Sequence, residues 1–299
     1  MSEPRAPTEN RLAFLRSRFL LVALGCVVIF SVGYWALLSS FLAEKKRRSI
    51  EFTPGTSAGA DYVRVRVSVL SVDPVKDALS LRVQFLPRGR FTSDQRTPTS
   101  EMRVRYNSFH GTTEQRFKRG QRMSSIEAHV HIFQGDIADY PMDSYRSNFA
   151  VELDERVGTE WKPVPLRLRF VRVLHGLRPL ATLAKRSIDG SAALRIHIER
   201  AAGTKFFAFI VMGIMAVLTL LTMTVSWHVV FRGRKPEFSG FSWMGAMLFA
   251  FPAIRNALPG QPPMGSFIDY LVFFWAEGLV AVALLAAVSA WLARPSSSK

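Results

Sequence analysis

Four long apolar segments limit what this chain can fold into. They cover residues 19–43, 206–231, 238–258 and 270–292, and each carries at most one charged side chain. A helix needs about 20 such residues to cross the hydrocarbon core of a bilayer. Of the 299 residues, 48% are hydrophobic and 21% are charged, which excludes disordered and collagen-like classes. We interpret the segments as transmembrane helices, so the sequence predicts a multi-pass protein of the cell membrane with the lipid bilayer as a partner.

The first segment has a second interpretation as a cleaved signal peptide, since arginines precede it and small residues end it. Its 25 residues exceed the apolar core of a signal peptide, which holds about 7 to 15 residues. We therefore expect an uncleaved anchor. The only cysteine, Cys26, lies inside this segment, which excludes an intrachain disulfide.

Positive charge near the segments predicts their orientation, because Lys and Arg concentrate in cytoplasmic loops. With the N-terminus inside, nine Lys and Arg fall in the tails 1–18 and 293–299 and in the loop after the second segment, against Arg255 alone in the short outer loop. Six more basic residues lie near the segments on the outer side, Lys45–Arg48, Arg200 and Lys205. They raise the number of Lys and Arg outside the cytoplasm to seven, which weakens the preference for this orientation. We expect both termini in the cytoplasm and residues 44–205 outside it.

Residues 44–205 alternate between apolar and polar side chains, the pattern of half-buried strands. At least seven segments show it, and Val63–Val69 is the clearest. Turn residues such as Asp73–Pro74 separate the segments. The sequence therefore predicts an α+β membrane protein, with an extracytoplasmic antiparallel β-sandwich inserted between transmembrane helix 1 and a bundle of three C-terminal transmembrane helices.

The same region is basic, with 29 Lys and Arg against 18 Asp and Glu. Nucleic acid is not the expected partner, because exposed aromatic residues for base stacking are not interleaved with the basic ones. Anionic lipid or an acidic envelope polymer is a more plausible partner, because both are found beside the membrane. The ordinary alternative is that the basic residues form a solvated sheet face with no partner. A protein partner or a homo-oligomer also stays open.

Two sequence patterns in this region are similar to those of known catalytic or metal-binding sites. Residues 55–59 match the G-x-S-x-G pattern of a nucleophile elbow, but a charge run precedes them instead of a strand, so we interpret them as a linker. Glu127, His129 and His131 share the outward face of one strand and are weak candidates for a metal site, with fewer than four ligands visible. An ordinary polar face is our preferred interpretation, and we predict no cofactor and no catalytic residue.

The segment 140–145, Tyr-Pro-Met-Asp-Ser-Tyr, predicts a rigid corner between two strands. Proline restricts the backbone, and aspartate accepts hydrogen bonds from its own downstream backbone. We expect Tyr140, Pro141, Asp143 and Tyr145 to face the membrane helices. The pattern is also similar to the Phe-Pro-x-Asp turn of pentameric ligand-gated channels, although the cysteines that flank that turn are missing here.

Polar residues in the last two apolar segments form a second group of candidates. Arg255 and Asn256 precede a turn rich in proline and glycine, and Asp269 follows it, so Arg255 and Asp269 can pair across one tight hairpin. Glu277 lies about 12 Å further along a helix, where an isolated carboxylate is costly and suggests a function. A structural cap for the hairpin and a packing role for Glu277 are the alternatives.

The segments Phe251–Gly265, Ile268–Tyr270 and Phe274–Glu277, with the corner Tyr140–Asp143, resemble the bacterial family catalogued as domain of unknown function 4436. Methionine stands at position 142, where that family usually has phenylalanine. The resemblance covers the chain beyond its first 18 residues. It implies an integral membrane protein with this layout and carries no established reaction, ligand or catalytic residue.

Three functions stay open at this point. The one we favour is a non-enzymatic envelope protein whose sandwich binds a partner, as a scaffold or a sensor. The second is an ion or proton channel or transport component that uses Arg255, Asp269 and Glu277. The third is a membrane enzyme on lipid-linked substrates, which needs more inward-facing polar residues than the first two segments supply.

Overall fold

A computed structural model of the chain describes residues 20, 24–25, 27–28, 31–35, 37–39, 42, 49–53, 59–94, 96–171, 174–184, 190–234 and 238–293. The chain forms two compact units, Met1–Arg47 and Arg48–Lys299. In the first unit, the described residues between 20 and 42 are all helical. The tails 1–18 and 294–299, Cys26, residues 43–48 and most of the G-x-S-x-G pattern lie outside the described residues.

Eleven strands precede the C-terminal helices in the described part of the second unit, four more than the minimum predicted. Their apolar side chains point inward at alternate positions, so that Val63, Val65, Val67 and Val69 are buried while the residues between them are partly exposed. The strands are β1 (Ser49–Phe52), β2 (Tyr62–Asp73), β3 (Ala78–Arg88), β4 (Met102–Ser108), β5 (Gly111–Phe117), β6 (Ile126–Gln134), β7 (Ser144–Val157), β8 (Glu160–Pro163), β9 (Leu166–Val171), β10 (Leu177–Leu183) and β11 (Ser191–Arg200).

All eleven strands are hydrogen-bonded into one mixed, mostly antiparallel sheet, in the order β1-β9-β2-β3-β6-β7-β11-β10. Strands β4 and β8 pair with β7 outside this order, and β5 pairs with β4. The sequence predicted purely antiparallel pairing, but β9 lies parallel to β2. Alternation determines which side chains face inward, whereas the choice of neighbouring strand depends on contacts far apart in the chain.

The sheet has one apolar core to which both of its halves contribute. Val65 and Phe170 come from the half that contains β2 and β9, and Phe149 and Leu194 come from the half that contains β7 and β11. The two halves are joined by β6, which pairs with β3 along most of its length and with β7 near its C-terminal end, beside a bulge. The inward faces of the halves therefore pack on each other.

Both ends of the sheet region lie at the same end of the sheet. The pairing from strand to strand shows that four strands, β11, β6, β2 and β9, have their C-terminal ends at the same end of the sheet. The start of β1 lies there too, because Ser49 pairs with Val171 at the end of β9. Arg200 ends β11 at this edge, and the next helix starts two residues later. We call this edge the helix-proximal end of the sheet.

Three helices complete the described part of the second unit. They are α1 (Ala202–Phe231), α2 (Phe238–Asn256) and α3 (Phe274–Leu292), and a short π-helical segment, Asp269–Phe273, leads directly into α3. Helix α1 starts four residues before the predicted segment 206–231. The Ser226 hydroxyl donates to the carbonyl of Ala283 at 2.8 Å, which links α1 to α3.

Two of the described helical stretches, Ala202–Phe231 and Asp269–Leu292, are long and apolar enough to cross a membrane, judged by length and composition alone. Helix α2, which covers most of the predicted third span 238–258, does not meet this criterion. Its serine, glycine, proline and asparagine residues dilute the apolar ones. The structure therefore supports two of the four predicted spans by composition.

Candidate functional site at the junction of sheet and helices

The corner Tyr140–Asp143 lies where the sheet meets the helices. It follows one turn of 3₁₀ helix, Ile137–Asp139, and its Tyr140–Pro141 peptide bond is cis. The Tyr140 ring is completely buried and belongs to the same apolar cluster as Ala208 of α1 and Phe251 of α2. A side chain from the sheet region thus completes the apolar core of the helices.

The hydroxyl of Tyr140 is buried and makes no hydrogen bond to any described residue. Burial disfavours the phenolate and raises the pKa of Tyr140 from its ordinary 10.0 to about 12. The Arg200 guanidinium lies 5.0 Å from the centre of the Tyr140 ring, within the range of a cation–π contact.

Asp143 and Arg200 form a buried ion pair at the centre of the junction. The Arg200 Nε donates to both carboxylate oxygens of Asp143, at 3.0 and 2.9 Å, and the Tyr145 hydroxyl donates to Oδ2 at 2.5 Å. Asp143 is fully buried, and Arg200 is 6% exposed. Burial, followed by the hydrogen bond to Asp143, raises the pKa of Tyr145 above its ordinary range.

The strand register brings this pair together. Strands β7 and β11 are antiparallel neighbours, and Ser144 pairs with Glu199. Asp143, just before β7, therefore meets Arg200, the last residue of β11, although 57 positions separate them. Because Arg200 ends β11 just before α1 starts, the pair joins the corner to the first residues of that helix.

The loop between α2 and the π-helical segment packs directly against Arg200. Gly260 has a φ of +82°, which favours glycine, and a Cβ at this position would overlap the Arg200 guanidinium. On the other side, the carbonyl of Gly176 accepts hydrogen bonds from the Ala201 amide at 3.0 Å and from the Thr204 hydroxyl at 3.2 Å. Two loops thus enclose the end of β11 and the start of α1.

Arg255 and Asp269, which the sequence placed at opposite ends of one hairpin, form a bidentate ion pair. The Arg255 Nε lies 2.8 Å from Oδ1 of Asp269, and Nη2 lies 2.6 Å from Oδ2. The same guanidinium donates to the carbonyls of Pro262 and Pro263, at 2.8 and 2.7 Å. Arg255 is 5% exposed and Asp269 is fully buried. The guanidinium therefore ties together both ends and the middle of the hairpin loop.

The carboxylate of Asp269 is also saturated with donors. Its Oδ2 accepts from the backbone amides of Gly265 and Ser266, at 2.9 and 3.1 Å, and from the Ser266 hydroxyl at 3.2 Å. The hydrogen-bonding capacity of the pair is thus used within the hairpin, as a structural cap requires.

Glu277 and Asn256 take no part in this network. Asn256 is exposed at the end of α2. Glu277 lies on α3 beside Ala276, a member of the apolar cluster, and its Oε2 is buried without a hydrogen-bond partner among the described residues. An unpartnered carboxylate oxygen in apolar surroundings is the one polar feature of α3 that local structure does not explain.

The weak metal candidates on β6 are each engaged by a neighbour. Glu127 pairs with Arg82 at 2.9 Å, and Nδ1 of His129 lies 3.0 Å from the Ser80 hydroxyl. The His131 ring packs edge-on against Phe109. Across the described ranges, no group of three or more His, Cys, Asp or Glu is placed to hold a metal ion.

Sequence reasoning missed Arg200 and Gly260 as parts of the junction. In the sequence, Arg200 stands out only as a charge that affects orientation, and Gly260 only as a turn former. A signal was available, because a lone arginine between a strand pattern and a long apolar helix requires a partner once both neighbours are buried.

Comparison with known families divides the chain near Arg200. Residues 53–197 match the family Domain of unknown function (DUF4436). The chain contains a DUF4436 domain. Residues 200–294 match a second family, Domain of unknown function (DUF8686), so this DUF4436 domain is followed by a DUF8686 domain. No curated protein matches the chain.

The match confirms the resemblance to the DUF4436 family that the sequence indicated, but it limits that family to residues 53–197, whereas the resemblance was expected to cover nearly the whole chain. The corner Tyr140–Asp143 lies within the DUF4436 domain, whereas the hairpin motif Phe251–Gly265 lies within the DUF8686 domain. The buried pair crosses the boundary, since Asp143 belongs to the first domain and Arg200 to the second. The junction is thus the contact between two domain types.

Proposed function

We propose that this DUF4436-domain protein is a non-enzymatic, multi-pass protein of the cell membrane that displays its sheet region outside the cytoplasm and binds a partner with it. The predicted first helix and the three C-terminal helices cross the bilayer, with both termini cytoplasmic. The two halves of the sheet act as a sandwich whose outward faces are available to the partner. The junction holds this sandwich in one orientation above the helices.

The buried Asp143–Arg200 pair is the observation that carries the proposal. Two flexibly tethered domains need no buried ion pair between them, because desolvating two charges is costly unless their geometry is held. Here the pair, the Tyr140 ring and the Gly260 loop all meet at the start of α1. Such a junction suits a scaffold or a sensor, in which the orientation of the displayed domain relative to the helices matters.

The position of the chain ends supports the display of the sheet region. Both Ser49 and Arg200 lie at the helix-proximal end, as a domain inserted between two membrane helices requires. The basic surface of this region suits acidic components outside the membrane.

A topology experiment tests the first part of the proposal. A reporter that is active only after export is inserted after Gly120, in the loop between β5 and β6, and a reporter active only in the cytoplasm is inserted at the same position. Insertion after Ser298 in the C-terminal tail is the matched control. We expect the exported reporter to be active at Gly120 and the cytoplasmic one at Ser298. The reverse pattern contradicts the proposal.

A crosslinking experiment tests the second part. The full-length chain is crosslinked in intact cells through a photoreactive residue at position 159, in the exposed turn between β7 and β8 at the end of the sheet away from the helices, and purified from solubilised membranes. The same residue at position 76, in the β2–β3 turn at the helix-proximal end, is the control. One dominant partner crosslinked from position 159 supports partner binding, whereas products that contain only this chain contradict it.

Transport of protons or ions is the second candidate function, and Glu277 is the observation that favours it. Its unpartnered carboxylate oxygen lies on an apolar helix, where ionisable residues often mark proton or ion paths. The Arg255–Asp269 pair contributes less to this candidate, because the hairpin loop already satisfies both groups. The test compares ion and proton flux through proteoliposomes that contain the wild type or Glu277→Gln. Equal flux excludes Glu277 from a transport path, and loss of flux supports it.

A further inference from the structure

Arginines stand opposite one another on the outward face of β2 and β9. In this parallel pair, Arg64 is opposite Arg167 and Arg66 is opposite Arg169. Like charges at directly opposed positions of neighbouring strands destabilise a sheet. Among the described residues, one carboxylate lies within ion-pair distance of these four arginines, that of Glu51, 3.7 Å from Arg64. The fold therefore keeps four positive charges together with one nearby counter-charge.

Three arginines in the other half of the sheet each have a carboxylate partner. Arg103 pairs with Asp154 at 2.8 Å, and Arg105 pairs with Glu152 at 2.8 Å. Arg156 is likewise paired, with a carboxylate 3.0 Å away. Directly opposed arginines with one nearby carboxylate thus distinguish the β9–β2 face from these three paired arginines.

Three of the four opposed arginines also have buried donors without acceptors. The Nε atoms of Arg64, Arg66 and Arg167 are inaccessible to solvent and donate no hydrogen bond to any described residue. Buried donors in folded proteins are nearly always paired, so these guanidinium groups are not fully satisfied within the sheet. Anionic oxygens are the strongest acceptors for guanidinium groups.

Two grooves on this face meet at Arg66 and Gln84. The first, of about 480 Å³, is also lined by Arg82 and Arg169. The second, of about 530 Å³, is also lined by two arginines, at positions 96 and 122. Among the described residues that line either groove none is acidic, although Arg82 is already paired with Glu127 at 2.9 Å. Together the two grooves form one continuous basic surface, which we call the arginine grooves.

Uncharged polar groups lie between the arginines. Ser68 lines the first groove, Ser124 lines the second, and the amide of Gln84 is shared by both. Hydroxyl and amide groups both donate and accept hydrogen bonds, whereas arginine only donates. A ligand that carries hydroxyl groups between its anionic groups therefore matches this lining better than one that carries anionic oxygens alone.

The extent of the arginine grooves argues against a lipid headgroup. Arg66 lies seven residues before Asp73, which ends β2 at the helix-proximal end, a distance of about 23 Å along a strand. The headgroup region is only about 5 to 8 Å deep on each side of a bilayer. A ligand that reaches Arg66 and continues into the second groove is therefore outside the lipid layer.

We propose that the arginine grooves bind an acidic polysaccharide, with its carboxylate groups on Arg66 and Arg169 and its hydroxyl groups on the intervening Ser and Gln side chains. This inference rests on the function proposed above, because it names the partner class that the displayed sheet region takes.

The test measures binding of fluorescent oligogalacturonate to the purified full-length protein in detergent. The variant is Arg66→Gln with Arg169→Gln, and the matched control is Arg146→Gln with Arg195→Gln on β7 and β11, which removes the same net charge from the other half of the sheet. We expect the groove variant to bind at least roughly tenfold more weakly than the wild type, since charged hydrogen bonds are lost. The control variant keeps the wild-type affinity.

Three results overturn the proposal. Equal weakening in both double variants shows attraction by net charge alone. Binding of polyphosphate or of phosphatidylglycerol vesicles in place of oligogalacturonate assigns the grooves to another anion. If the wild type does not bind oligogalacturonate, the grooves are not a binding site for an acidic polysaccharide.

A folding control accompanies the binding measurement. The thermal unfolding midpoint of the groove variant is expected to equal or exceed that of the wild type, because the substitution relieves repulsion between opposed arginines. Oligogalacturonate is expected to raise the midpoint of the wild type and of the control, but not of the groove variant. Binding in detergent does not depend on membrane orientation, so a failed topology experiment and a failed binding experiment are distinguishable.

Discussion

Arg200 donates from Nε to both carboxylate oxygens of Asp143, and neither side chain is more than 6% exposed. The pair connects the last residue of the final strand with the corner that precedes β7. Gly260 of the hairpin loop and the Tyr140 ring both pack against the Arg200 guanidinium. Three segments distant in the sequence therefore meet at one guanidinium.

Asp143→Asn leaves the Arg200 charge buried without its counter-charge. We expect it to lower the free energy of unfolding by about 3 to 5 kcal/mol, measured by chemical denaturation in detergent. Glu152→Gln, which breaks an exposed pair with Arg105, is the matched control, with an expected loss of about 0 to 1 kcal/mol. Equal losses in the two variants contradict the structural importance of the buried pair.

Gly260→Ala adds a methyl group where the Arg200 guanidinium lies, on a backbone with positive φ. We expect a loss of more than about 1 kcal/mol, because both the overlap and the backbone conformation oppose the substitution. Gly245→Ala is the control, since a Cβ there meets nothing within 4 Å. In helix α2 it should be neutral or gain up to about 1 kcal/mol. A thermal shift assay on both variants shows whether the two glycines differ in this way.

Tyr140→Phe removes a buried hydroxyl that has no hydrogen-bond partner among the described residues. We expect stability at neutral pH to be unchanged or slightly higher, since no hydrogen bond is lost. Tyr140→Ala, which removes the ring from the apolar cluster, should cost about 3 to 5 kcal/mol. A large loss from the phenylalanine variant, measured by the same denaturation, means that the hydroxyl has an important partner.

The raised pKa of Tyr140 predicts a loss of stability at high pH. The folded protein holds the phenolic proton more tightly than the unfolded chain does, so this contribution is complete below pH 10 and disappears as the pH rises towards 12. We expect Tyr140→Phe to reduce the decline in unfolding free energy over that interval. Ultraviolet absorbance of phenolate provides the direct check, and complete ionisation of all tyrosines near pH 10 in the folded wild type contradicts the prediction.

Arg255→Lys keeps the positive charge of the hairpin but not its planar set of donors. One ammonium cannot serve two proline carbonyls and both oxygens of Asp269 in their present positions. We expect a loss of about 1 to 3 kcal/mol and faster proteolysis of the loop after α2. Arg178→Lys at a half-exposed pair is the control, and its expected change is within about 0.5 kcal/mol.

Several features of the site follow from sequence reasoning alone because they are local. Arg255 and Asp269 are joined by a short turn rich in proline and glycine, so few conformations keep them apart. The corner at Tyr140 is defined by neighbouring residues, and its position between two strands points it towards one end of the sheet. The function of Glu277 stays a hypothesis in both sequence and structure, because no described neighbour gives it a partner.

The sequence by itself determined which side chains face inward in the seven strands that it predicted and where the long apolar helices lie, because both follow from periodicity within a few neighbouring residues. Only the tertiary structure decided that β9 lies parallel to β2, which sets Arg66 opposite Arg169. It also decided that Arg200 pairs with Asp143 beneath Gly260. Those relationships join residues far apart in the chain, and their partners are chosen by the packing of the whole core.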